Sequence, residues 1–200
     1  LIDPKYLTRR AKLIRKDKSM GKASPGIINP KTSLGFAPDG SSKGVSTSHL
    51  VVVDKAGNVA SMTTTIENAF GSRLMVRGFL LNNELTDFSF NPVKNGKIVA
   101  NSIWPGKRPR SSMSPTIIFD NTGKPVIAIG SPGGSRIIGY VIKTIIAMLD
   151  WKMNIQSAVE LPNFVNRNGS TELENGTPLA TLKPELEKLG HQVHVRDMVS

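Results

Sequence analysis

Two β-rich runs, Ser48 to Asp54 and Val59 to Ile66, flank the turn Lys55-Ala56-Gly57-Asn58. This pattern constrains the fold more than any other in the chain, because a short turn between two such runs predicts an antiparallel hairpin. Thr47 stands at its head, in Gly44-Val45-Ser46-Thr47-Ser48-His49. A threonine hydroxyl is a weak nucleophile with no partner to take its proton. Cutting the chain just before Thr47 frees an α-amine on the same residue, and that amine can serve as the base. A Ser/Thr cluster ahead of a strand is more often a solvated turn. Three further segments shift the balance: Thr63-Thr64-Thr65, the run Arg108 to Pro115, and Gly130-Ser131-Pro132-Gly133-Gly134-Ser135-Arg136.

The rest of the chain divides near Gly44. Asp3 to Lys16 reads as a helix, and residues 17–46 read as an exposed linker rich in Gly, Pro, Ser and Lys. Gly78 to Leu81 is a short apolar run, and residues 89–112 show no period. Thr116 to Phe119 and Pro125 to Ile129 flank the turn Asp120-Asn121-Thr122-Gly123 and predict a second hairpin. Ser135 is the expected cap of a helix to about Asp150, and Asn154 of a short one through Glu160. Leu182 to Leu189 reads as helix stopped by Gly190, and His191 to Arg196 as strand. Hairpins first and helices after predict an α+β fold with helices layered on antiparallel sheet.

The 200 residues carry a net charge of +11, which raises the question of nucleic acid. The distribution argues against it. Residues 1–46 hold ten Lys/Arg against three Asp, or +7, leaving +4 for the other 154 residues. No zinc-ligand spacing or RNP-like aromatic run accompanies the charge. A solvated basic segment is the plainer reading. No apolar run approaches the length of a membrane span. The chain has no cysteine, so disulfides and thiolate chemistry are excluded.

The segment after Ile129 is the second chemical clue. A strand runs through Ser131-Pro132-Gly133-Gly134 into a helix, and two glycines let backbone approach a ligand closely. Their N–H groups lie near a helix N-terminus, where partial positive charge favours an anion. The pattern is neither a phosphate-binding P-loop nor a dinucleotide fingerprint. Beside a candidate nucleophile it suits an oxyanion hole. Taken alone, the segment is better explained as a tight strand-to-helix turn.

Together these pieces resemble the gamma-glutamyltranspeptidases, members of the N-terminal-nucleophile hydrolases. The ordered set is Thr47-Ser48-His49 with Val52-Val53-Asp54-Lys55, then Thr65, Phe70-Gly71, Leu80 to Ser89, Lys107 to Thr116 and Gly130 to Ile137. The resemblance spans Thr47 to about His194. The opening Asp3-Pro4 to Arg10-Ala11 resembles the end of the family's large subunit.

The resemblance implies a four-layer αββα sandwich and self-cleavage between Ser46 and Thr47. Residues 1–46 would then end the large subunit, and residues 47–200 would form most of the small one, with the remainder of the large subunit as partner. It implies that Thr47 attacks a γ-glutamyl donor such as glutathione, with no cofactor and no metal. Thr65 matches the residue that orients the nucleophile; Gly133 and Gly134 match the oxyanion-hole donors. Glu84 and Asp87 match the carboxylates that hold the substrate α-ammonium, and Ser111 and Ser112 the pair that binds its α-carboxylate. The acyl group would pass to water or to an amino acid or peptide amine. A periplasmic or secreted location is expected.

Three departures bear on this. Glu67 stands where many members have an asparagine that contacts the donor's amino group. The stretch Phe90 to Pro105 is shorter than in members with a lid over the site. The family's donor-carboxylate arginine is expected upstream of this chain, and the C-terminal end of the small subunit beyond Ser200. A sister acylase that cleaves glutaryl-type amides is the nearest alternative, and a non-catalytic basic binding module using residues 1–46 is a further one. His49 reads as structural, and Trp104 and Trp151 as packing residues.

Overall fold

The computed structural model describes residues 2–27, 35–39 and 47–198; the expected cleavage partner Ser46 lies outside them. In chain order the helices and strands are α1 (Pro4–Ala11), β1 (Thr47–Val53), β2 (Val59–Thr65), β3 (Met75–Val76), β4 (Phe79–Leu80), β5 (Val93–Lys94), β6 (Lys97–Ile98), β7 (Thr116–Phe119), β8 (Pro125–Ile129), α2 (Ile137–Leu149), α3 (Ile155–Glu160), β9 (Phe164–Asn166), β10 (Thr171–Glu174), α4 (Lys183–Lys188) and β11 (Val193–Arg196). They fall into two compact units, one drawn from Leu1–Gly35 and Glu160–Met198, the other from Phe36–Val159.

The second unit carries both expected hairpins. β1 and β2 pair antiparallel from Thr47 opposite Thr65 to Val53 opposite Val59. Asp54 builds the turn: its carboxylate accepts from the amides of Ala56 and Asn58, both at 2.8 Å, and from the Asn58 side chain at 2.7 Å. β7 and β8 close the same way, with Asp120 accepting from the Thr122 hydroxyl at 2.6 Å and the Lys124 amide at 3.0 Å. Asx turns of this kind satisfy the turn's own backbone donors.

Strands β2 and β8 lie side by side, and the Ser61 hydroxyl donates to the Ile129 carbonyl at 3.3 Å. The two turns also lie together, since Ala56, Gly57, Lys124 and Pro125 line one shallow cavity. The open ends of both hairpins therefore point the same way.

Helix α2 buries Ile137, Tyr140, Val141, Thr144 and Ala147, a period of three and four that faces the unit's core. Its other stripe, Ile138, Ile142, Ile146 and Leu149, is exposed. Asn154 caps α3 as expected, accepting from the Ser157 amide at 2.9 Å. Ser135 does not cap α2. A 3-10 turn, Gly134–Arg136, intervenes, and α2 starts from Arg136 without a side-chain cap.

In the first unit, Asp3 caps α1 by accepting from the Tyr6 amide at 2.7 Å. The helix stops at Ala11 rather than Lys16, and it buries no residue. With no apolar face covered, a short helix gains little from extension. The C-terminal part forms a three-stranded sheet that sequence periodicity does not reveal. In it β10 pairs parallel with β11 and antiparallel with β9. Glu172 on β10 is buried, with Arg167 at 2.8 Å and Arg196 at 3.9 Å.

Two expectations are corrected. The stretch read as an exposed linker is exposed at most of its described residues but is docked at Ala37, which bridges to Val99 and is buried. Its amide donates to the Ile98 carbonyl at 2.9 Å and its carbonyl accepts from Ala100 at 3.0 Å. Backbone pairing of this kind needs no apolar pattern, so nothing in the Gly/Pro/Ser texture reveals it. Trp104 and Trp151, expected to pack, are both exposed.

Candidate active site

The site is built on the open end of the first hairpin. Antiparallel register sets Thr47, the first residue of β1, directly opposite Thr65, the last of β2. Cross-strand partners stand within roughly 5.5 Å Cα to Cα, so the two hydroxyl-bearing residues are neighbours by backbone geometry alone. Both are partly exposed. The Thr65 hydroxyl accepts from the Glu67 amide at 2.9 Å, which fixes its orientation and turns the chain.

That turn aims a carboxylate. Glu67 adopts φ 71°, a left-handed conformation rare for a residue with a side chain. Its carboxylate joins those of Glu84 and Asp87, the ligating oxygens all lying within 4.8 Å of one another. Glu84 and Asp87 come together because Glu84–Asp87 is a single 3-10 turn, in which side chains three apart eclipse. Asn83 fastens that turn to the end of β2. Its amide donates to the Ile66 carbonyl at 3.3 Å and its side-chain oxygen accepts from the Asn68 amide at 3.0 Å. Three clustered carboxylates repel one another, and they favour a cation that donates hydrogen bonds, such as an ammonium. Among the described residues they are also the group able to ligate a metal ion.

The glycine loop leaves β8 at the same end as Thr47 and Thr65. Gly133 (φ 128°) and Gly134 (φ 56°) are consecutive left-handed residues, and an added Cβ on Gly133 would meet the Tyr140 ring at 2.7 Å. The loop thus requires glycine at Gly133 on two counts. It presents backbone amides just ahead of a thirteen-residue helix.

His49, read as structural, packs against the glycine loop. Its ring lies against Gly130, where a Cβ would sit 2.2 Å from the ring. Nδ1 is 2.8 Å from the Thr63 hydroxyl and Nε2 3.4 Å from that of Ser61. Burial lowers its pKa, which favours the neutral ring. It props the glycine loop against β1 and β2.

Ser111 and Ser112 lie between the loop that holds the carboxylates and β7. The Ser111 hydroxyl accepts from the Met113 amide at 3.2 Å, and the Ser114 hydroxyl donates to the Ser112 carbonyl at 3.0 Å. Thr116 pairs with Ile129, so this segment enters β7 at the end where the glycine loop leaves β8. Two residues without a sequence signal, Asn101 and Asp39, link the segments that carry the carboxylates and the serines, Asn101 bonding to the Asp87 carbonyl and the Arg110 amide and Asp39 pairing with Arg110. They fall in the stretches read as irregular and as linker, where no local pattern marks them.

A sequence model of the gamma-glutamyltranspeptidase family matches residues 1–200. The glutathione hydrolase proenzyme of Bacillus subtilis strain 168 is 41% identical over 203 residues, covering 96% of this chain and 33% of the relative. The acylase ACY 1 proenzyme of a Pseudomonas strain is 35% identical over 149 residues, covering 74% of this chain and 25% of the relative. A solved mutant of Helicobacter pylori gamma-glutamyltranspeptidase superposes with a TM-score of 0.65 at 42% identity, covering 76% of this chain and 86% of that one. The chain spans about a third of the length of the curated relative from Bacillus.

Proposed function

The chain belongs to the gamma-glutamyltranspeptidase family, and from that premise we propose that it transfers or hydrolyses γ-glutamyl groups through Thr47. The observation that carries this reading is the line from Thr47 to its ladder partner Thr65, and from Thr65 through Glu67 to three gathered carboxylates. A nucleophile at one end and an ammonium receptor at the other suit an amide whose acyl part is an α-amino acid. A γ-glutamyl group is such an acyl part, and glutathione is the donor proposed.

In this account the precursor is cut between Ser46 and Thr47. The freed α-amine takes the Thr47 hydroxyl proton as the oxygen attacks the γ-carbonyl. The amides of Gly133 and Gly134 stabilise the tetrahedral oxyanion. The C–N bond then breaks, and the protonated α-amine returns its proton to the leaving amine, leaving a γ-glutamyl ester on Thr47. Water or an acceptor amine attacks that ester and restores the hydroxyl. Thr65 orients Thr47. Glu67, Glu84 and Asp87 hold the α-ammonium, and Ser111 and Ser112 the α-carboxylate. The remainder of the large subunit completes a four-layer αββα sandwich. A periplasmic or secreted location belongs to the same proposal. Among the described residues no helix is long and apolar enough to cross a membrane.

The relative named as an acylase gives weight to a second reading, an amide-hydrolysing acylase, for which we propose glutaryl-type amides as substrates. The glutaryl group keeps the carboxylate and lacks the α-ammonium. Rates on γ-glutamyl and glutaryl p-nitroanilides separate the two. Preference for the γ-glutamyl substrate supports the first reading, and equal or greater activity on the glutaryl substrate supports the second.

A further inference from the structure

The carboxylates and the serines sit on separate loops, and one buried side chain joins them. Asn101 is 7% exposed. Its Nδ2 donates to the Asp87 carbonyl at 2.6 Å and to Asp39 Oδ2 at 2.9 Å. Its Oδ1 accepts from the Arg110 amide at 3.0 Å, one residue before Ser111. The partners fix which end is which, since a carbonyl and a carboxylate need a donor and a backbone amide needs an acceptor. The Asn101 carbonyl also accepts from the Ser89 amide at 2.9 Å. Asp39 closes the figure by pairing with the Arg110 guanidinium at 3.2 Å, its own side chain 7% exposed.

We infer that Asn101 is a positioning residue that sets the spacing between the ammonium-binding carboxylates and the carboxylate-binding serines, and so selects substrates carrying both charges on one carbon. The inference rests on the proposed function. The α-ammonium and α-carboxylate of an amino acid are held apart by a single carbon, so their receptors must keep a fixed separation. Neither loop has regular structure to impose it. Asp87 lies in a single 3-10 turn, and Arg110 to Ser114 have no helix or strand of their own. One amide group that uses both its ends imposes the separation directly. Two substitutions distinguish the two ends. Asn101→Asp keeps an acceptor for the Arg110 amide and sets an oxygen against Asp87 and Asp39. Asn101→Ala removes both ends.

The test is steady-state kinetics of the complete proenzyme, self-processed, on γ-glutamyl and glutaryl p-nitroanilides. Asn101→Ala is expected to raise KM for the γ-glutamyl substrate by about tenfold, the scale of one buried hydrogen bond lost, and for the glutaryl substrate by less, with kcat and the processed fraction close to wild type. Asn101→Asp is expected to raise KM for the γ-glutamyl substrate well above its effect on the glutaryl one. Unchanged KM in both variants beside an active wild type overturns the role of Asn101 alone. A parallel fall of kcat, processing and thermal stability also overturns it, because that marks a merely structural residue. A wild type that self-cleaves and favours the glutaryl substrate defeats the proposed function instead.

Discussion

Thr47 stands opposite Thr65 across the open end of the β1–β2 ladder, and the Thr65 hydroxyl in turn accepts the Glu67 amide at 2.9 Å. One hairpin therefore supplies the proposed nucleophile, its orienting neighbour and the first carboxylate of the ammonium receptor. Removing the Thr65 hydroxyl should loosen all three. Thr65→Val is expected to lower kcat on a γ-glutamyl anilide by about tenfold or more, the cost of leaving a polar group unsatisfied, with folding retained. Stopped-assay rates beside circular dichroism check this, and a wild-type kcat would remove Thr65 from the mechanism.

The three carboxylates should be worth most to a substrate with an ammonium. Glu84→Gln removes one charge while keeping a similar shape. Its expected effect is a rise in KM for the γ-glutamyl anilide of about tenfold, since hydrogen bonds to charged groups contribute about 1.5–3 kcal/mol. The glutaryl anilide, lacking the ammonium, should be affected little or should bind better. Equal losses on both substrates would show that Glu84 supports the fold rather than the ammonium.

Gly133 has neither the backbone freedom nor the space for a side chain. Gly133→Ala must strain φ 128° and move the Tyr140 ring from a 2.7 Å clash. A residue held in such a region costs about 1–3 kcal/mol. We expect a lower melting temperature and a kcat reduced more than KM is raised, because the loop amides are the proposed oxyanion donors. A fully active alanine variant would place the oxyanion donors elsewhere.

The two hairpin turns should loosen locally in acid. Asp54 is held below the usual carboxylate range chiefly by the Asn58 side chain, and Asp120 chiefly by the Thr122 hydroxyl. Folded carboxylates with lowered pKa values stabilise fully above the unfolded value, about 3.9. That contribution is lost as the pH falls through the lower folded value. Amide protection in both turns should hold from neutrality down to the unfolded carboxylate value, about 3.9, and decline below it. Asp54→Asn and Asp120→Asn should flatten that decline; an unaltered acid profile in both variants would contradict the assignment.

Much of this was legible in the sequence because it is local. The Lys55–Asn58 and Asp120–Gly123 turns, the helix ending near Asp150 and the Asn154 cap each depend on neighbours within a few residues. The expected site residues rest on the order of their motifs along the chain. What escaped was set at long range. Ala37 finds Val99 by backbone pairing, β10 and β11 pair parallel across the α4 segment, and Asn101 contacts Asp39, Asp87 and Arg110 through single polar bonds. None of these leaves a period or a composition shift. Ser135 misled for a related reason: it has the chemistry of a cap, but the two left-handed glycines before it lead into a 3-10 turn first.

The central claim is that Thr47 becomes an N-terminal nucleophile. The measurement that reaches it most directly is intact mass with N-terminal sequencing of the purified full proenzyme beside a Thr47→Ala control. The account predicts two fragments, one beginning Thr47-Ser48-His49, absent from the control. A single uncut chain under native conditions would contradict it, as would a cut of the same size in the control.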